Sequence, residues 1–274
     1  MSVIEAIVLG IVQGLTEFLP ISSTAHLRVV PALLRWEDPG AAFTAVTQLG
    51  TMAAVLLYFA GDLIRVARAW LAGLSDPTRR GDLDARMGWY LIIGTIPIGL
   101  FGLAFQDQIE GGARNLLLIG TALVVLGFVL LAAERVGRRD RSTESIGLRD
   151  AVAVGLAQTA ALVPGVSRSG ATLSAGLFLG LERAAAARFS FLLSVPAVLL
   201  SGVFEGVGLA TGEAEGDAGF LPLAVATVAA FVVGYATIAF LLRFLVTHTT
   251  AVFVVYRVAL GVAVLVFAAN GVIA

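Results

Sequence analysis

Gln13-Gly14-Leu15-Thr16-Glu17-Phe18-Leu19-Pro20-Ile21-Ser22-Ser23-Thr24-Ala25-His26 interrupts an apolar stretch that runs from 3 to 34. Proline stops a helix and serine is a preferred N-cap for the next one, so the stretch reads as helix, break at Leu19–Ser23, helix. A second stretch, 149–181, breaks in the same manner at Val163-Pro164-Gly165-Val166-Ser167. A bilayer core needs about 20 helical residues, and neither arm of either stretch reaches that comfortably. Each stretch is therefore expected to be a re-entrant hairpin.

Outward from the breaks, the two stretches match each other. At an offset of 145, Gly10 meets Gly155, Gln13 meets Gln158 and Ser22 meets Ser167. Each is followed by three apolar segments long enough to span: 41–60, 88–106 and 114–134 after the first, 186–208, 219–243 and 250–272 after the second. The expected fold is an all-α polytopic membrane protein: an inverted-topology repeat with six transmembrane helices plus two re-entrant helix hairpins. It forms a single membrane domain, 1–274, with repeat one at 1–140 and repeat two at 141–274. Three crossings per half invert the second half relative to the first, as in many transporters.

Arginines orient the chain. The loop 61–87 holds Arg65, Arg68, Arg79, Arg80 and Arg86, and the loop 135–149 holds Arg135, Arg138, Arg139, Arg141 and Arg149; both are expected in the cytoplasm. The loop 209–218 carries Glu213, Glu215 and Asp217 and no basic residue, so it is expected outside with both termini. The hairpins then enter from opposite faces and their tips meet inside the bilayer.

Composition agrees. Of 274 residues, 58% are hydrophobic and 14% charged, against roughly a quarter charged in a soluble domain. Alternation is too poor for an outer-membrane barrel. A net charge of −1 argues against a nucleic-acid partner. Without cysteine there is no disulfide or thiolate metal site, and without lysine no lysine-dependent phosphate motif. The start Met1-Ser2-Val3-Ile4-Glu5 lacks the basic region of a cleavable signal peptide.

Chemistry concentrates at the breaks. Gln13 and Glu17 share one helix face, Ser22 and Ser23 start the second arm, and His26 follows one turn later. An ionisable group inside a membrane needs a polar partner or a wet cavity and is a functional candidate by default. In Pro164-Gly165-Val166-Ser167-Arg168-Ser169-Gly170-Ala171-Thr172, Ser167 is expected to cap the new arm with Arg168 in its first turn. The helix dipole disfavours a cation there. An anion between helix end and guanidinium resolves this, because free N–H groups, hydroxyls and the guanidinium fork then address one phosphate. Two such helix ends suit a diphosphate. Plain structural readings compete: a kink with a capping serine and a satisfied histidine, or an arginine snorkelling to the interface. Thr44, Thr47, Gln48 and Thr51 form a weaker polar stripe, either lining the site or bonding between helices. His248 reads as solvated, Pro97 and Pro196 as kinks, and Glu182, Arg183 and Arg188 as the cytoplasmic boundary after the second hairpin.

These two motifs resemble the signatures of the bacterial undecaprenyl-diphosphate phosphatases, the bacitracin-resistance family. The resemblance continues through Gln48-Leu49-Gly50, Gly94-Thr95-Ile96-Pro97, Phe189-Ser190-Phe191-Leu192-Leu193 and Tyr256-Arg257, covering essentially the whole chain. Glutamate often stands where this chain has Gln13, leaving Glu17 as the single carboxylate, and glycine is usual where it has Ala25. The resemblance implies hydrolysis of undecaprenyl diphosphate to the monophosphate, recycling the carrier for peptidoglycan synthesis and conferring bacitracin resistance. It also implies a divalent cation, Mg²⁺ or Ca²⁺, on Glu17, and a bacterial inner membrane location with the site facing outward. In the expected mechanism Ser22, Ser167, Arg168, Ser169, Thr172 and Gln13 hold the diphosphate. Ser23 is the preferred nucleophile with His26 or Glu17 as base, attack by water or by His26 staying open. The partners expected are the prenyl diphosphate lipid and the bilayer, with a homodimer left open. A flippase for the prenyl phosphate is the rival from another class, since inverted repeats with broken helices also serve transport. The lysine-containing class of membrane lipid phosphatases is excluded, because no matching histidine follows Ser167-Arg168.

Overall fold

The computed structural model describes residues 1–106, 108–109, 115–210 and 219–273, apart from the side chains of 41 and 201–210. Among these residues the chain is helical, with no strand beyond one isolated bridge between Arg141 and Leu181. The first hairpin is α1 (Val3–Phe18) and α2 (Ser23–Leu34). Then come α3 (Gly40–Tyr58), α4 (Ala60–Ser75), α5 (Leu83–Ala104) and α6 (Leu116–Val136). The second hairpin is α7 (Leu148–Thr159) and α8 (Arg168–Phe178), followed by α9 (Arg183–Ala210), α10 (Phe220–Thr247) and α11 (Ala251–Ala269).

Among the described residues, five helices, α5, α6, α9, α10 and α11, are long and apolar enough to cross a membrane. A sixth crossing is available if the bent pair α3–α4 counts as one span. Their outward faces are apolar: Leu100, Leu103, Phe128, Val228 and Val255 are all more than half exposed. In water such a belt would drive aggregation; in a bilayer it is the solvated surface. Of the cytoplasmic loops expected, 61–87 departs most from its reading. It is mainly the helix α4, bent 71° from α3, and a short 3-10 turn, Pro77–Arg79. The cause is amphipathic: Leu63, Val66 and Trp70 recur at helical spacing and turn towards the rest of the protein. The acidic loop 209–218, used for orientation, lies almost wholly outside the described residues.

Small residues set the packing. Gly10 of α1 lies so close to α10 that a Cβ would sit 2.3 Å from the Ala226 carbonyl oxygen. Gly155 of α7 meets α5 in the same way, 2.3 Å from the Gly94 oxygen. Each hairpin's first arm thus seats on a span from the other half of the chain, and close backbone approach is how helices associate where lipid removes the hydrophobic incentive. Beneath the first break, Phe18 meets Phe191 edge-on at 5.4 Å, and Phe191 lies 6.3 Å from Phe59. The polar caps hold the arms' ends: Ser2 and Glu5 form a capping box on α1, and Asp150 accepts from the Gly147 N–H at 2.8 Å on α7.

Candidate functional site

Both breaks use the same local device. Ser22 caps α2 by accepting from the Ala25 N–H at 3.4 Å, and Ser167 caps α8 by accepting from the Gly170 N–H at 3.1 Å. Both serines sit at positive φ, 74° and 71°. That region costs a side-chain-bearing residue of order 1–3 kcal/mol and persists only where the surroundings over-determine it. The helices that follow begin with Ser23 and Arg168, whose own N–H groups have no intrahelical acceptor.

The two helix ends meet. Arg168 Nη2 donates to Glu17 Oε1 at 2.5 Å, joining the hairpins. Ser23 Oγ donates to Glu17 Oε2 at 2.7 Å, and Gln13 Nε2 donates to the same oxygen at 3.1 Å. Ser169 Oγ donates across to the Leu19 carbonyl at 3.0 Å and lies 3.1 Å from Ser167 Oγ. The Glu17 side chain is 9% exposed and Arg168 19%, so the pair is shielded but not sealed. Gln13 Oε1 is buried and has no partner among the described residues. A buried oxygen of that kind needs a water, an ion or a ligand.

His26 takes a different position from the one its sequence suggests. Nδ1 donates to the Ser22 carbonyl at 2.7 Å, and that bond leaves the neutral ring's Nε2 as acceptor for the Tyr256 hydroxyl at 2.6 Å. His26 therefore braces the break, with no hydrogen bond to Ser23 or Glu17. Thr172 is fully buried, its hydroxyl spent on the Arg168 carbonyl at 2.8 Å and on Ser190 at 2.5 Å. The threonine stripe of α3 bonds mostly its own helix, Thr47 to Phe43 O and Thr51 to Gln48 O. His248 is exposed and stacks on Phe244 at 4.4 Å.

Arg257 is the residue the motifs did not reveal. It is wholly buried in α11. Nη1 donates to the Pro20 carbonyl at 3.0 Å, and Nη2 to Gly165 at 3.1 Å and Val166 at 2.9 Å, while Nε reaches Leu123 O at 3.3 Å. One guanidinium thus ties the carbonyls of both breaks, just upstream of both strained serines. A lone arginine inside the apolar run 250–272 was the available signal, since an intramembrane cation needs a partner.

A profile of the family described as bacitracin resistance protein BacA matches residues 6–263. The chain belongs to the BacA family. Its relatives in that family span its whole length. A protein of Nocardioides sp. named undecaprenyl-diphosphatase is 57% identical over 271 residues, 99% of this chain and 98% of its own. One of Mycolicibacterium smegmatis with the same name is 57% identical over 275 residues, covering 100% of this chain and 99% of the relative. Undecaprenyl-diphosphatase 3 of Frankia alni is 52% identical over 289 residues, covering 100% and 97%. The Glu17–Ser23–Arg168 junction in this BacA chain is thus built from the residues its two motifs supply.

Proposed function

We propose that this chain hydrolyses undecaprenyl diphosphate to undecaprenyl phosphate and inorganic phosphate, which makes it a membrane-embedded phosphatase of the lipid carrier. The observation that carries the reading is the junction of a hydroxyl, a carboxylate and a guanidinium between two converging helix N-termini. The names of the full-length relatives point the same way. The diphosphate would lie against the N-termini of α2 and α8, with Arg168 and the hydroxyls of Ser22, Ser167 and Ser169 around it. Dipoles and a fork-shaped cation aimed at developing charge are what phosphoryl transfer needs.

Ser23 is the nucleophile in this reading. Its Oγ attacks the terminal phosphorus, the proton passes to Glu17 Oε2, and the prenyl monophosphate departs with the bridging oxygen. Water then cleaves the phosphoserine and releases phosphate. The 2.7 Å Ser23–Glu17 bond supports Glu17 as the base over His26, whose two nitrogens are engaged elsewhere. Arg168 must exchange part of its contact with Glu17 for the substrate, so that its guanidinium meets the charge the phosphate brings.

A divalent cation fits this donor set in part. Among the described residues no three acidic or histidine side chains cluster for a metal. Glu17 and the unpartnered Gln13 Oε1 are hard oxygens of the type Mg²⁺ accepts, with substrate oxygens and water completing the shell. When bound, such an ion would neutralise charge on the diphosphate. Activity should then vanish with EDTA and return with Mg²⁺ or Ca²⁺, and Glu17→Gln should abolish the rescue.

We also read the matched breaks and the reciprocal seating of Gly10 and Gly155 as an inverted repeat, 1–140 and 141–274, with the site facing outward. The decisive assay is phosphate release from a prenyl diphosphate by the purified protein. Release by the parent but not by Ser23→Ala supports the reading, and full turnover by Ser23→Ala refutes Ser23 as nucleophile.

A further inference from the structure

Away from the hairpin tips, the corner formed by α4 and the start of α5 has features the hydrolysis does not use. After its 71° turn, α4 leaves Ile64, Leu71 and Leu74 about half exposed, and Arg68 is exposed on the same helix. A helix turned away from its span, with leucines and arginines both solvent-facing, suits the plane of a membrane interface. Trp70 packs against α5 so tightly that a Cβ on Gly88 would lie 2.7 Å from it. Trp89 meets it edge-on, ring centroids 5.5 Å apart, and paired indoles are typical of interfacial depth.

Between these elements lies a cavity of about 330 Å³ lined by Trp70, Gly73, Leu74, Arg80, Ala85 and Trp89. Arg80 is fixed in its wall by Nε donating to the Gly73 carbonyl at 3.1 Å. Trp70 lines this cavity, and its Nε1 is buried in the protein without an acceptor among the described residues. Native proteins rarely leave a buried donor unpaired, so the indole points to something that accepts. Three of the local carboxylates are committed elsewhere, Asp62 and Asp84 to Arg65 and Asp76 to Arg79, while Asp82 forms no ion pair among the described residues. Among the described residues no carboxylate pairs with Arg68, Arg80 or Arg86. The corner therefore offers unused N–H donors, an excess of guanidinium charge and an apolar rim.

We propose that this cavity binds the headgroup of an anionic phospholipid. The phosphodiester oxygens accept from Arg80 and the Trp70 indole, and the acyl chains run along Leu71, Leu74 and Trp89. Guanidinium is the side chain best shaped for phosphate oxygens. A zwitterionic lipid has the same phosphate but brings an ammonium towards Arg68 and Arg86, so the site discriminates by the rest of the headgroup.

The test titrates the detergent-solubilised full chain with phosphatidylglycerol or phosphatidylcholine and reads retained lipid by native mass spectrometry. Phosphatidylglycerol should bind more tightly. Arg80→Gln should weaken it by about fivefold, the contribution of one arginine near an anionic surface. Trp70→Phe keeps every charge and removes only the N–H, so it should also lower the preference, an effect that diffuse attraction does not produce. Prenyl diphosphate hydrolysis by both variants should match the parent. Equal affinity of the parent for the two lipids overturns the proposal, and so does a full phosphatidylglycerol preference in Arg80→Gln. Arg80 is exposed, so its variant decides the matter even if Trp70→Phe unfolds.

Discussion

Arg168 and Glu17 form a shielded ion pair across two hairpins, so removing either charge leaves the other uncompensated. Breaking a buried pair this way costs about 3–5 kcal/mol, which mixes folding with catalysis. Arg168→Lys separates them, because the charge stays while the fork geometry is lost. It should cost 10²- to 10³-fold in phosphate release, about 2.7–4 kcal/mol by analogy with oxyanion donors, with an unchanged unfolding midpoint. Turnover within a few-fold of the parent would return Arg168 to a structural role. Arg257 predicts the opposite balance. Its loss strands carbonyls of both breaks in a dry interior, each worth about 1–3 kcal/mol. Arg257→Leu should lower the thermal midpoint markedly, and Arg257→Lys should rescue only part, since one ammonium cannot reach carbonyls on Pro20, Val166 and Leu123 together. Equal stability of parent and Arg257→Leu would sink the clamp.

Among the elements, the hairpin arms depend on glycine only where backbones touch. Gly155→Ala must push α7 from α5, because its Cβ would meet the Gly94 oxygen at 2.3 Å. Overpacking of that kind costs about 1–3 kcal/mol, and the α1 counterpart Gly10→Ala should cost as much against α10. Gly99, also in α5, has nothing within 4 Å of its Cβ position, so Gly99→Ala should leave the melting temperature unchanged. A similar drop for all three would mean general helix softness and not these contacts. The helices and breaks were legible in the sequence, since length and apolarity mark spans and Pro-Ile-Ser-Ser or Pro-Gly-Val-Ser marks breaks. The Ser22 and Ser167 caps were legible for the same reason. Their positive φ was not, because only the tertiary frame holds serine there. Nor was the role of His26: nothing local says that its ring turns to Tyr256, 230 positions away. The bend into α4 was missed because charge in 61–87 reads as loop until its apolar spacing is counted.

For the whole molecule, orientation is the testable property. Cysteine at Glu37, in the turn after α2, should react with an impermeant thiol reagent on intact cells. Cysteine at Arg138, whose side chain is 84% exposed, should react only after lysis. The reverse pattern would place the site on the cytoplasmic face and defeat the outward reading. The orientation put to this test is the one that arginine placement and the 145-residue offset predict. At that offset Glu17 and His26 fall opposite Leu162 and Ala171, so the two matched breaks carry unlike chemistry.

The arginine that ties the two breaks also sets a timetable. Pro20 leaves the ribosome well before the guanidinium that binds its carbonyl, which follows 237 positions later on α11. Until α11 inserts, the breaks are joined through Arg168–Glu17 and Ser169–Leu19 but lack the guanidinium that ties the carbonyls just before both strained serines, so the nascent chain carries every motif residue on an unclamped site. Competence arrives with α11. Membranes holding a chain stopped after α10 should contain inserted protein that releases no phosphate, and supplying α11 as a separate segment should restore release.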